Sequence, residues 1–172
     1  MLVWSASASD AVAQQRLYQI TGNWSDVFYL GNFANILKDE RAVVVGSAGR
    51  IANRSGEIRG NSGTSSDLLS VFFQADNKTG WATGADGAIV STTDKGANWL
   101  PQRSGTTATL RSVYFSSDGR HGWAVGDNGT IVVTADGGAN WQAQDSGTKA
   151  SLSKVAFASD GQHGWTVGTD GA

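Results

Sequence analysis

Trp81, Trp123 and Trp165 stand 42 residues apart, and the text around them repeats with the same period. "SGTTATLRSVYFSSDGRHGWAVG" returns as "SGTKASLSKVAFASDGQHGWTVG", and "SGTSSDLLSVFFQADNKTGWATG" precedes both. A fixed period of this length marks an array of supersecondary units, each too small to bury its own apolar face, which must stack to build a core. Solenoids and propellers satisfy that demand, and the contents of the period decide between them.

Within one period the alternation is that of strands. Leu110 to Ser116 sends Val113 and Phe115 to one face and Ser112 and Tyr114 to the other. Asp118-Gly119 then turns the chain into "GWAVG", and Asn128-Gly129 is the dipeptide that best accepts the positive φ angles of a tight hairpin. "TIVVT" supplies a β-branched third strand and "NWQAQ" a fourth, before Ser146-Gly147-Thr148 leads into the next unit. Four short antiparallel strands per unit describe a propeller blade. The fold class is therefore all-β, a β-propeller of four-stranded antiparallel blades. The 172 residues hold about four blades' worth of chain.

The loop between third and fourth strands has its own signature. Thr92-x-Asp94-x-Gly96-x-x-Trp99 and Thr134-x-Asp136-x-Gly138-x-x-Trp141 share one pattern. The carboxylate accepts N–H bonds of the turn, glycine takes a left-handed conformation, and tryptophan packs beneath. These residues are expected to lock the loop, which commits the carboxylate to its own backbone rather than to catalysis or a cation. Trp81, Trp123 and Trp165 are expected to be buried between blades.

These loops resemble the Asp-box, or BNR, signature of sialidase-like propellers. The combination L-x-x-V-x-F, G-W-x-x-G, D/N-G and T-x-D-x-G-x-N-W is similar to the photosystem II assembly and stability factor group, over roughly Ser62 to Ala172. That resemblance implies a non-enzymatic, protein-binding scaffold with a chaperone or assembly role. It implies a protein partner such as a subunit of a membrane complex, and a location outside the cytoplasm. It also implies rings of six or more blades, so that this chain is an incomplete propeller.

The first third departs from the repeat. Tyr29 to Val43 spans fourteen positions where Phe115 to Trp123 spans eight, which places an insertion of six residues within "LGNFANILKDE". The segment after Ile51 lacks four residues and the Asp box. The blades are accordingly expected at 24–67 (divergent), 68–109 and 110–151, with partial blades at 1–23 and 152–172 in one domain. Leu2 to Ser5 aligns with the third strand, so the two ends share one phase. A closed four-bladed ring, half of an eight-bladed dimer and a piece of a longer protein all fit this phase, and the resemblance favours the last.

A partner surface is expected on the divergent blade, where the insertion brings Phe33, Ile36 and Leu37 to the rim and Arg41, Arg50, Arg54 and Arg59 follow. Apolar anchors flanked by arginine are enriched at protein interfaces. The formal charge of −2 and pI near 5.5 provide no basic footprint for nucleic acid. No run approaches a membrane span, and "MLVWSASASDAVAQQ" lacks the charged and apolar regions of a signal peptide. His121 and His163, one period apart in polar turns, lack a third metal ligand, and no cofactor, metal or catalytic residue is expected. A fragment of a sialidase-like or other Asp-box glycoside hydrolase is the alternative, but it needs paired carboxylates, and Glu40 and Glu57 are the only glutamates. Open blade edges are expected to favour self-association.

Overall fold

The computed structural model describes residues 23–29, 42–53, 61–158 and 161–171. Two complete blades are present among them. One consists of β4 (Leu68–Phe73), β5 (Gly80–Gly84), β6 (Ile89–Thr92) and β7 (Leu100–Gln102). The other consists of β8 (Leu110–Phe115), β9 (Gly122–Gly126), β10 (Ile131–Thr134) and β11 (Gln142–Gln144). Each is a simple antiparallel meander. Before them lie β1 (Trp24–Tyr29), β2 (Ala42–Gly46) and β3 (Ile51–Asn53), and after them β12 (Leu152–Phe157) and β13 (Gly164–Gly168). The four-stranded antiparallel blades expected from the repeat are the fold observed among the described residues.

Register confirms the alignment of the divergent blade. Tyr29 pairs with Ala42 and Phe28 with Val43, as Phe115 pairs with Gly122 and Tyr114 with Trp123. The extra residues therefore fall between β1 and β2. Each first strand also slips register at the same place, between Trp24 and Asp26 and between Leu110 and Ser112.

Alternation in these strands does not separate core from solvent; it assigns residues to two different cores. Val113 and Phe115 pack with Trp81 and Ile89 of the preceding blade, while Tyr114 and Trp123 pack with Val155 and Phe157 of the following one. Trp81 stacks on Phe115 with ring centroids 3.5 Å apart, and its indole N–H donates to the Gly137 carbonyl at 3.1 Å. Trp123 meets Phe157 at 4.1 Å but is only half-buried. Trp165 is 61% exposed, against 2% for Trp81. The expectation of three buried tryptophans thus fails at Trp165, because among the described residues no strand follows to cover it. Each tryptophan is buried by the next repeat rather than by its own.

The glycine before each tryptophan is where backbone and ring meet. A Cβ at Gly122 would lie 2.5 Å from the Phe115 ring across the hairpin. Asn128 and Gly129 carry φ of 58° and 68°, and the Thr130 N–H closes the turn onto the Asp127 carbonyl, which is the primed hairpin expected for that dipeptide.

Candidate binding surface

The strands give each blade two ends with different chemistry. At one end sit the β4–β5 and β8–β9 turns together with the Asp-box loops, joined by N–H bonds from Lys95 to the Lys78 carbonyl and from Gly137 to the Arg120 carbonyl. At the other end sit the β5–β6 and β9–β10 hairpins with the Ser-Gly-Thr connections. There Ser104 Oγ donates to the Thr106 carbonyl at 3.1 Å, and Ser146 Oγ does the same to Thr148.

The Asp boxes are closed on themselves. Asp94 accepts from Asn98 N–H at 2.9 Å, from Asn98 Nδ2 at 2.7 Å and from Thr92 Oγ1 at 2.8 Å. Thr92 Oγ1 in turn accepts the Gly96 N–H at 3.1 Å, with Gly96 at φ 83°. Thr134, Asp136, Gly138 and Asn140 repeat the arrangement. Hydrogen bonds from the Asn98 backbone and side chain hold Asp94 below its usual value; the Asn140 side chain and backbone bring Asp136 to about 2. Trp99 and Trp141 are buried beneath, with indole N–H bonds to the Gly96 carbonyl and to Gln102 Oε1 of the previous blade.

His121 lies on the same end. Its Nδ1 is 2.7 Å from Asp118 Oδ2, and hydrogen bonds from Ser116, Arg120 and His121 pull Asp118 far below the ordinary carboxylate range. Among the described residues no group of three or more His, Cys, Asp or Glu side chains is placed to hold a metal ion.

The Ser-Gly-Thr end carries an open groove of about 810 Å³ between two neighbouring blades, lined among others by Thr64, Ser66, Asp86, Pro101, Arg103 and Thr106. Its walls carry hydroxyls, the Arg103 cation and the Asp86 carboxylate beside the apolar side chains of Ala88, Ile89 and Pro101. Beside it, Arg111 reaches Asp127 through Nε and through Nη2 at 3.1 Å, and that bond lowers the Asp127 pKa.

The residues expected to form the partner surface are distributed as follows. Phe33, Ile36, Leu37, Arg41, Arg54 and Arg59 lie outside the described residues. Arg50 is described, and it sits beyond β2, at the opposite end of that strand from the insertion. Its guanidinium binds the Ser47 carbonyl and hydroxyl and covers the Trp24 ring at 5.3 Å. Leu2 to Ser5 also lie outside the described residues.

Polar links between blades escaped the sequence. Gln74 Nε2 donates to the Ser116 carbonyl at 2.7 Å, Asp26 Oδ2 accepts the Val71 N–H at 2.9 Å, and Ser112 Oγ accepts the Val155 N–H at 3.3 Å. The signal was faint, because the Gln74 position holds Ser116 and Ala158 in later repeats.

Residues 102–172 match the family model described as photosynthesis system II assembly factor YCF48. No curated protein sequence matches the chain. Among solved structures, YCF48 from Cyanidioschyzon merolae superposes with a TM-score of 0.65 at 22% identity, covering 89% of this chain and 50% of that one. YCF48 bound to D1 peptide gives 0.61 at 20% identity, covering 88% and 52%. An ancestral GH74 enzyme gives 0.58 at 15% identity, covering 87% and 22%. The chain has a β-propeller fold, its residues 102–172 resemble the photosystem II assembly factors, and it spans about half the length of the YCF48 structures it matches.

Proposed function

We propose that this chain is a non-enzymatic scaffold that binds a segment of another protein and assists assembly of a complex with membrane subunits. The observation that carries this reading is the match of residues 102–172 to the assembly-factor model, in blades whose polar side chains hold loops rather than form an acid/base pair. One solved relative is bound to D1 peptide, which makes a peptide from a membrane-complex subunit the natural probe. In this reading the partner surface is the divergent blade, with Phe33, Ile36 and Leu37 as apolar anchors and Arg41, Arg50, Arg54 and Arg59 as the accompanying cations.

Calorimetric titration of the chain with the D1 peptide tests the function, and Phe33→Ser with Leu37→Ser tests the surface. Saturable binding that the double variant weakens at unchanged melting temperature supports both. Binding that survives the double variant moves the surface elsewhere. The GH74 likeness keeps a hydrolase fragment as the second reading, favoured if the chain ignores the peptide and releases reducing sugar from a glycan.

A further inference from the structure

The Ser-Gly-Thr connections are alike in backbone and unlike in one side chain. Gly63, Gly105 and Gly147 stand at φ of 75°, 76° and 71°. In two of the three, the residue two positions earlier closes the glycine N–H: Asn61 Oδ1 accepts from Gly63 at 2.9 Å, and Asp145 Oδ1 accepts from Gly147 at 2.9 Å. In the third that residue is Arg103, which can only donate. The Gly105 N–H is therefore left without an acceptor among the described residues. The next N–H, of Thr106, is closed by Ser104 Oγ at 3.3 Å as in the other copies.

The change of residue turns a filled position into two open donors. Arg103 is exposed, and its guanidinium has no hydrogen bond or ion pair among the described residues. Nothing lies within 4 Å of where a Cβ on Gly105 would stand, so the outer face of this glycine is open. Both residues line the groove of about 810 Å³ between the two blades. An oxygen acceptor is what this backbone takes, since Asp145 gives a carboxylate oxygen to the equivalent N–H one repeat later. A guanidinium beside it selects a carboxylate over a neutral amide, because charge-assisted hydrogen bonds are the stronger ones.

Another side chain of the groove narrows the class. Asp86 accepts from Ser66 Oγ at 3.0 Å through Oδ2, and its other oxygen has no partner among the described residues. A bare anion is repelled by that carboxylate, whereas a carboxylate carried on a peptide brings N–H groups that Asp86 can accept. We infer that the groove binds an extended peptide segment by an acidic side chain, whose carboxylate is taken by the Gly105 N–H and the Arg103 guanidinium. The inference rests on the protein-binding reading above and adds to it a contact at the Ser-Gly-Thr end.

Amide NMR of the isotope-labelled chain tests this, with N-acetylated, C-amidated Gly-Asp-Gly as the probe and Gly-Asn-Gly in the same form and sodium phosphate as controls. The expected result is a saturable shift of the Gly105 amide, while those of Gly63 and Gly147 stay in place because their N–H groups are already taken. Gly-Asn-Gly and phosphate should each bind about tenfold more weakly or worse. Arg103→Asn rebuilds the cap that Asn61 makes, so the Gly105 amide should move with no peptide present, the melting temperature should hold or rise, and the probe should no longer register. Arg103→Ala should leave the N–H open and weaken the probe about tenfold or more. No shift at Gly105, an equal response to Gly-Asn-Gly or to phosphate, or binding that survives both Arg103 variants overturns the inference. Failure of the D1 peptide with the Gly-Asp-Gly shift intact strikes the membrane-complex assignment alone and leaves this site standing.

Discussion

Ala48 occupies a left-handed turn position, φ 56° and ψ 37°, where the later repeats place Asp86, Asn128 and Asp170. Asparagine and aspartate tolerate that conformation through local hydrogen bonds, and alanine does not. Ala48→Asn should raise stability by about 0.5–1 kcal/mol, measured by urea unfolding. Thr83 presents the opposite fault. It is fully buried, its Oγ1 has no partner, and the equivalent positions hold Val45, Val125 and Val167. Thr83→Val removes a desolvated hydroxyl at nearly constant shape and should stabilise by about 1 kcal/mol in the same assay. Both sites were invisible without the fold, since nothing in "GSAGR" or "GWATG" says which torsion or hydroxyl is at fault until the turn and the burial are known. The Asp-box roles of Thr92, Asp94, Gly96 and Trp99 were legible, because every partner they use lies within the same few residues.

At the scale of the element, the Asp-box loops set an acid limit. Asp94 and Asp136 have folded-state pKa values below the unfolded value of about 3.9. Below that value the unfolded chain takes up protons first, so the stabilisation present at neutral pH is lost as pH falls from about 4 through about 2. Melting temperature followed from pH 7 downward should drop in that window, and Asp94→Asn with Asp136→Asn should flatten the drop. Inter-blade contacts carry more energy. Trp81, stacked on Phe115 and bonded to Gly137, is buried among large side chains, so Trp81→Ala should cost about 3–5 kcal/mol. Trp165→Ala should cost far less in the isolated chain, which chemical unfolding of the two variants side by side will show. The sequence showed three equivalent tryptophans, but burial belongs to the junction between repeats, and the repeat text alone does not say which junctions are filled.

For the whole molecule, the described residues divide into three apolar clusters, each lying between consecutive blades. Among the described residues no cluster joins β1–β3 to β12–β13, so within them cooperativity passes from neighbour to neighbour. Such a chain frays from its ends, as a zipper does, and opening need not be all-or-none. Amide protons record this directly. In deuterated buffer the β12–β13 hairpin, with Trp165 bare on its outer face, should exchange first, while β5, β6 and β9, flanked by filled junctions, should hold their protons longest. Exchange at one uniform rate along the chain would mean that the ends are tied together in solution. The lifetime of a proton on β13 therefore measures how much of its time the arc spends as a ring.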